Sequence, residues 1–518
     1  MVAATAGMAT TRAGVDHKIV PTLRIAVPAL IAFVCLWPVV WTADVASVVC
    51  DDFFYYLVPA EHWANGAGST YFPAEPTNCY HPLWFAWVAF LYWIAGDGKI
   101  FFGALALSVT ALMIGFYFLF ERFLRRVTGD RLAAAAGAGV AALPLARLGR
   151  MGLETSLTAF VAALLLVYLS SKPLAERTVR EAAVVGLLSA LLLLSRLDAA
   201  VLLIGLGVAI VARWDVKRLM AFAAGAAPLY LYPAINLWAF GHLATTSMTA
   251  KTLNLYLPPN WYFLVFPNPA LGIALATAVA GVAVALVVLL WRNPNVDNRR
   301  LAMAVPVAVL LQFAAQALLS GWIMFVWYIY FAVMSLGLLV CLLVVGLRRR
   351  ELRRRVAVPA VAVALLFGVL WIGCSLVLDP IRAHTVDAAR RLQAFSVSHP
   401  GVYAMGDQAG TPGWLVKQPI VQLEGLAMSH EFTDRIRQRQ PLAQVFRDYH
   451  VNYYVAWVSD GADHGSCHEL QEPSPLLSSP RAPHMAIRTC KAPVAVIDPG
   501  PLHREVIYRI DPTTGQPM

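Results

Sequence analysis

Apolar runs long enough to cross a bilayer recur along this chain, and tight clusters of Arg and Lys separate them. A bilayer core demands about 20 consecutive apolar residues per helix. Inside it, every backbone N–H and C=O must be paired within the protein. A chain with many such runs is therefore committed to a polytopic helix bundle. Composition agrees. Of 518 residues 59% are hydrophobic and only 14% charged, against about 25% charged in an ordinary soluble domain. That excludes a disordered or collagen-like chain and an ordinary soluble enzyme.

The sequence has 40 Lys and Arg, and its net charge is +10. Most of the basic residues sit beside the apolar runs. No basic-aromatic pattern of a nucleic-acid binder accompanies them, so no nucleic-acid partner is expected. The clusters are Arg12/Lys18/Arg24, Arg122/Arg125/Arg126/Arg131, Lys172/Arg177/Arg180, Arg213/Lys217/Arg218, Arg292/Arg299/Arg300 and the Arg-rich stretch 348–355. Between them stand only Lys99, Arg147, Arg150, Arg196 and Lys251. The positive-inside rule places the clusters in the cytoplasm. The alternation holds if the short run Pro82–Ile94 lies at the outer surface. Spans are then expected near 25–45, 101–120, 132–147, 156–170, 182–196, 199–212, 219–240, 268–291, 301–320, 323–346 and 356–378. This gives eleven spans, a cytoplasmic N-terminal tail (1–24), a first outer loop (46–100) and a C-terminus outside. The first run has no small-residue cleavage site and reads as a retained anchor.

After Leu378 the composition turns polar, so the membrane domain is drawn as 25–378 and an outer-face α/β domain as 379–518. Val402–Met405, Pro419–Leu423 and Val451–Val458 read as strands, and Glu431–Arg439 and Leu442–Tyr449 as helices. Residues 470–486, rich in Pro and Ser, read as a loop. Cys467 and Cys490 lie in this domain, where an oxidising exterior favours a disulfide. The seven cysteines form no CxxC pair, so no zinc site is expected.

The first outer loop carries the densest chemistry. Asp51 and Asp52 stand where the first span leaves the bilayer, followed by Phe53-Phe54-Tyr55-Tyr56. A carboxylate beside a low-dielectric slab is costly unless used or paired. Its raised pKa would make it a better general base. Either Asp could instead cap the helix that runs to Ala64 and stops at Asn65-Gly66. Tyr55 and Tyr56 fall one turn on, on the same side. Asn65-Gly66-Ala67-Gly68 and Pro76-Thr77-Asn78-Cys79-Tyr80-His81-Pro82-Leu83-Trp84 follow.

These motifs resemble those of bacterial GT-C superfamily glycosyltransferases, of the mannosyl- and arabinosyltransferase kind. Further elements appear in order: Gly152-Leu153-Glu154-Thr155, Arg196-Leu197-Asp198, Phe240-Gly241 with Ser247 and Lys251, Trp327-Tyr328, Ala409-Gly410, and Leu423-Glu424-Gly425-Leu426. The set covers nearly the whole chain. Two positions depart from the pattern: Cys79 where glycine is usual, and Glu424 where aspartate is usual. For Cys50 and Cys79, a disulfide across the site mouth and two free thiols both stay open.

The resemblance implies a multi-pass enzyme of a bacterial inner (plasma) membrane. It would take a sugar from a polyprenyl-phosphate carrier and pass it, with inversion, to an acceptor hydroxyl at the outer face. The acceptor would be a cell-envelope glycan, a lipid or a protein. The charge rule puts Asp51, Asp52, His81, Arg150, Glu154, Arg196, Asp198 and Lys251 at the same face, as one shared pocket would require. Asp51 or Asp52 is the expected base. Arg150, Arg196 and Lys251 are expected around the phosphate. Tyr55, Tyr56, Asn78, His81, Glu154, Asp198 and Tyr328 complete the expected substrate contacts. Bland roles compete: an Arg196–Asp198 ion pair, a solvated Lys251, and an interfacial aromatic belt around Tyr328. The converging acids leave a place for a divalent cation, though no spacing requires a metal or any other cofactor. The competing function is a transporter or flippase of a lipid-linked saccharide. It would favour midplane charges and internal repeats, neither of which the sequence shows. A scaffold with a dead site is a third reading, against which the retained Asp51-Asp52 pair stands.

Overall fold

The apolar runs form helices, as the absence of water in a bilayer requires. In the computed structural model the described residues are all except 1, 74, 212, 263–268, 293–297, 349–379, 460–466 and 499–502. The helices are α1 (Val2–Trp41), α2 (Phe54–Ala64), α3 (Pro82–Ala95), α4 (Lys99–Thr128), α5 (Arg131–Gly149), α6 (Thr155–Leu169) and α7 (Val179–Ser195). There follow α8 (Ala200–Val211), α9 (Val216–Gly225), α10 (Ala227–Phe240), α11 (Thr246–Lys251), α12 (Pro269–Arg292), α13 (Arg299–Leu319) and α14 (Tyr330–Arg348). Among the described residues, five helices are long and apolar enough to cross a membrane. The α9–α10 pair, bent by 47°, is a further candidate.

A helix corresponds to each of the first ten expected spans, with three differences. The helix in the N-terminal region begins at Val2 and ends at Trp41. The stretch 219–240 is broken between α9 and α10. The stretch 323–346 becomes helical only at Tyr330, because residues 321–329 leave the helix axis to cover the site described below. The expected span 356–378, and with it the boundary at 378/379, lies outside the described residues. Pro82–Ile94 is a single short helix, α3, of 14 residues.

The centre of the bundle is α5, whose Ala/Gly run lets neighbours approach closely. A Cβ on Gly137 would stand 2.4 Å from the Gly337 carbonyl oxygen of α14, and one on Gly337 2.5 Å from that of Gly137. Small residues at such crossings allow backbone-to-backbone packing where the hydrophobic effect gives no help. At the opposite flank Arg24 of α1 grips buried Glu121 of α4 through two hydrogen bonds of 2.6 and 3.1 Å.

The C-terminal region adds α15 (Pro380–Ser398), α16 (Gly410–Leu415), α17 (His430–Arg437) and α18 (Leu442–Asp448). Its strands are β1 (Val402–Met405), β2 (Ile420–Gln422), β3 (Val451–Ser459), β4 (His468–Glu472), β5 (Met485–Thr489), β6 (Ala495–Asp498) and β7 (His503–Arg509). Five form a mixed sheet in the order β2-β1-β3-β7-β6, parallel among the first three and antiparallel beyond. The expected strands and helices are present within a residue or two. The stretch 470–486 is not all loop: β4 and β5 pair antiparallel around it. Its Pro/Ser content marks only the connection between them. Cys467 and Cys490 are joined as a disulfide, beside the start of β4 and just beyond β5.

Gly137→Val should force α5 and α14 apart. The expected cost is roughly 1–3 kcal/mol, read as a lower thermal unfolding midpoint in detergent. An unchanged midpoint would mean the crossing does not carry the bundle.

Candidate functional site

Where α2, α6, α7 and α11 begin or end, their polar side chains meet. Asp52, Tyr55, Tyr56, Cys79, His81, Glu154, Arg196, Ser247, Lys251 and Tyr328 line one pocket of about 60 Å³, closed by Leu153, Trp327 and Leu426. Leu426 comes from the C-terminal domain. Its element Leu423-Glu424-Gly425-Leu426 is held by Gln422, whose side-chain oxygen accepts from the Leu426 N–H at 2.8 Å.

The pocket's charges divide into bonded and unbonded. Arg196, 2% exposed, sits between two carboxylates. Its Nη1 donates to Glu154 Oε1 at 2.6 Å and its Nε to Asp198 Oδ1 at 2.7 Å. Gln312 of α13 donates to the other Asp198 oxygen at 3.2 Å. Glu154, 3% exposed, also accepts from the Tyr56 hydroxyl at 2.6 Å and has His81 Nε2 at 3.7 Å. Burial pushes the Glu154 carboxyl up, but Arg196, His81 and the Tyr56 O–H outweigh it and hold the group below its usual range. His81 is shifted down by burial against the pull of Glu154. This favours neutral imidazole, and its Nδ1 has no partner.

Asp52 and Lys251 are different. No hydrogen bond or ion pair holds the Asp52 carboxylate among the described residues. Burial is the main cause that pushes it up to about 6; Lys251 opposes, and Asp51 and Glu154 add to the rise. Lys251, the last residue of α11, reaches the Tyr328 hydroxyl at 3.5 Å and has no carboxylate at ion-pair distance among the described residues. Burial works against its charge, but Tyr328 and Asp52 raise its pKa overall. The Tyr328 ring lies 4.6 Å from the Arg196 guanidinium carbon and 5.8 Å from Lys251 Nζ, within cation–π range of both. The buried Tyr55 hydroxyl has no hydrogen-bond partner among the described residues.

Two adjacent aspartates thus face opposite ways. Asp51 does not cap α2; it caps α16. Its carboxylate accepts from the N–H groups of Gly410 and Thr411 at 2.9 and 2.7 Å, and from the Thr411 hydroxyl at 2.6 Å. A Cβ on Gly410 would meet the Asp51 carbonyl oxygen at 2.2 Å, which accounts for the Ala409-Gly410 element: only glycine admits the contact. Beside it, Tyr71 donates to the Ala409 carbonyl at 2.6 Å and the Phe54 ring stacks on Trp414.

Other expected residues lie elsewhere. Asn78 is outside the pocket. Its amide brackets the turn before α11, accepting from Thr246 N at 2.9 Å and donating to the Ala244 carbonyl at 3.1 Å. It therefore positions Lys251. Arg150 lines a separate, largely apolar cavity with Cys35, Val49 and Phe102, so it does not join Arg196 and Lys251. Cys50 and Cys79 are not joined; the Cys79 thiol donates to the Tyr55 carbonyl at 3.1 Å. Among the described residues no three His, Cys, Asp or Glu form a group able to hold a metal ion.

Behind Asp52 lies a set of buried acids that the sequence did not single out as one group. Burial, then Asp51 and Asp52, push Asp407 up to about 7. Burial, then Asp407, push Glu424 well above its usual value. Burial pushes Glu472 up to about 8 against the Tyr454 hydroxyl bond. Glu472 sits on β4, in the stretch read as loop, so no strand periodicity flagged it.

No family model and no curated protein matches this chain. Solved structures do. ArnT from Cupriavidus metallidurans, bound to undecaprenyl phosphate, aligns with 94% of this chain and 97% of its own, at TM-score 0.53 and 15% identity. Its apo state aligns with 85% and 92%, at TM-score 0.51 and 16% identity. The fold is thus shared with ArnT: a mostly helical bundle with a C-terminal β-sheet domain.

Asp51→Ala should strip three charge-assisted bonds and loosen the C-terminal domain. The expected signs are faster protease cleavage and a loss of roughly 1.5–3 kcal/mol. Asp52→Asn, which breaks no bond, should leave both readouts at wild-type values. Equal behaviour of the two variants would contradict this division.

Proposed function

We propose that this protein transfers a sugar from a polyprenyl-phosphate carrier to an acceptor hydroxyl at the outer membrane face, with inversion. The observation that carries the reading is the unbonded Asp52 carboxylate sharing one pocket with the unpaired Lys251. The fold shared with ArnT, whose structure holds undecaprenyl phosphate, supports the class of donor.

In this mechanism Asp52 accepts the proton of the acceptor hydroxyl. The freed oxygen attacks the anomeric carbon, the bond from that carbon to the phosphate oxygen breaks, and polyprenyl phosphate leaves. Lys251 meets the charge that develops on the leaving oxygen. Arg196 backs it, but its donors are largely committed to Glu154 and Asp198. Tyr55, with a free hydroxyl, orients the acceptor or the sugar. A retaining route needs a second carboxylate as nucleophile, about 5–5.5 Å from the acid. Glu154 is the other acid lining the pocket, and Arg196 and Tyr56 already occupy it. A single inverting displacement follows. The acceptor class stays as broad as a cell-envelope glycan, lipid or protein.

The test uses purified protein, a panel of radiolabelled polyprenyl-phosphate sugars and an envelope extract. Asp52→Asn should lower transfer by about 10²-fold or more while donor binding persists. Lys251→Ala should lower both transfer and donor affinity. Full transfer by Asp52→Asn, or movement of labelled lipid between liposome leaflets with no transfer by wild type, would overturn the reading.

The pH profile gives an independent check. Asp52 must be ionised to accept a proton, and its carboxyl is pushed up to about 6. kcat/KM should therefore fall about tenfold per unit below pH 6 and level off above it. A profile flat down to pH 4.5 would remove Asp52 from the base role.

A further inference from the structure

A second cavity lies at the other end of the same helices. Helix α6 starts beside Glu154 in the acid pocket and ends at Leu169 on the wall of this one. At 1.5 Å per residue the two sites are about 22 Å apart along α6. The cavity is large, about 670 Å³, and nothing in the reaction above uses it.

Its lining is cationic. Arg126 from the end of α4, Lys172 and Arg213 from two connecting segments, and Arg299 and Arg300 from the start of α13 all contribute, and among the described residues no Asp or Glu lines it. Arg126 spends one nitrogen on the Val167 carbonyl and the Ser170 hydroxyl, at 2.5 and 3.3 Å. Lys172 is partly neutralised by Glu181 at 3.3 Å. Arg299 gives one nitrogen to the Trp291 carbonyl. Behind the wall sits Arg177, 1% exposed. Its Nη2 donates to the Tyr168 and Leu169 carbonyls at 2.5 and 3.1 Å, while its Nε and Nη1 have no partner. The first turn of α13 also faces the cavity, and Asn298, at its N-cap, makes no side-chain cap. The positive end of a 21-residue helix thus lies along the same space.

Basic residues at span ends are expected merely to orient the helices. Orientation, however, requires no concavity. Here the charges converge on a hollow whose remaining wall mixes Leu169, Leu174 and Leu301 with Ser170, Ser171 and Asn298. Cations and hydroxyls around a hollow at the ends of spans match a phosphodiester headgroup, and the leucines beside them match the tops of its acyl chains. We propose that this cavity binds a phosphate-bearing anion, the headgroup of an anionic membrane lipid.

The test compares wild type with Arg213→Gln/Arg300→Gln. Both side chains are exposed, so the fold should persist, and the melting temperature checks this. Full-length protein in neutral detergent is offered mixed micelles of phosphatidylglycerol or phosphatidylcholine, and retained lipid is counted by native mass spectrometry. Wild type should retain phosphatidylglycerol about tenfold or more over phosphatidylcholine. The double variant should lose most of that preference, with sugar transfer unchanged. Parallel titrations with inorganic phosphate and pyrophosphate separate the sources. Displacement of the lipid by pyrophosphate supports the shared chemistry. Tight pyrophosphate binding with no lipid retained supports a soluble phosphate source and overturns the lipid. Equal retention of both lipids with no phosphate or pyrophosphate binding, or undiminished preference in the double variant, overturns the site altogether.

Discussion

The buried pair of Glu154 and Arg196 is the interaction on which the rest of the site depends. Removing one partner of such a pair leaves an uncompensated charge at a cost of about 3–5 kcal/mol. Glu154 opens α6 and Arg196 closes α7, so their 2.6 Å contact sets the register of those helix ends. Through Asp198 and Gln312 the same guanidinium fixes α13, and through the Tyr56 hydroxyl the same carboxylate fixes α2. Four segments distant in sequence are held by one web. The web explains why ionised groups are tolerated beside a largely apolar bundle: each bonded charge has a partner of opposite sign. It also isolates two groups that it does not neutralise, Asp52 and Lys251, in the same pocket. Held charges build the frame, and unheld charges remain for a ligand.

The C-terminal domain belongs to that frame. Asp51 fastens α16, the Tyr71 hydroxyl fastens Ala409, and Glu75 accepts from the Ser429 N–H and the Tyr449 hydroxyl. Docking brings Leu426 over the pocket that Asp52 lines. The raised pKa of Asp52 is chiefly a burial effect, so one aspartate's structural bonds help create its neighbour's chemistry. The buried acids Asp407 and Glu424 reinforce this. Pushed upward themselves, chiefly by burial, they place less negative charge beside the pocket than ordinary carboxylates would.

Much of this was legible in the sequence, and what was not has a physical reason. The apolar runs and basic clusters reveal a helical bundle because lipid forces helices. Three strands of the C-terminal sheet, β1, β2 and β3, could be read from their short β-rich runs, whereas β6 and β7 could not. The convergence of Asp52, Glu154, Arg196 and Lys251 could be argued from the sidedness of charge. What sequence could not divide was Asp51 from Asp52. They are adjacent and chemically identical, and only the position of Gly410, some 360 residues away, decides which one is consumed in bonding. Arg150 lines a different cavity for a related reason: sidedness gives a residue's depth but not its angle around the helix. Asn78 was expected to touch substrate, yet it holds the turn before α11, because a buried amide is as easily satisfied by backbone as by a ligand. Tyr328 could have belonged to an interfacial belt, but the break in 321–329 turns it inward.

That break determines how the pocket can be entered. About 60 Å³ holds roughly two waters, far less than a sugar and its phosphate. The Tyr328 ring covers both Arg196 and Lys251, so a phosphate approaching those cations competes with the ring for the same space. Segment 321–329 cannot yield alone. The Ile323 N–H donates to the Leu477 carbonyl at 2.9 Å, and the Ser479 N–H donates to the Gly321 carbonyl at 2.7 Å. Moving the ring therefore strains contacts with the C-terminal domain, the same domain whose Leu426 closes the pocket beside Asp52. Access to the cations and desolvation of the acid are in this way mechanically joined through a few backbone bonds.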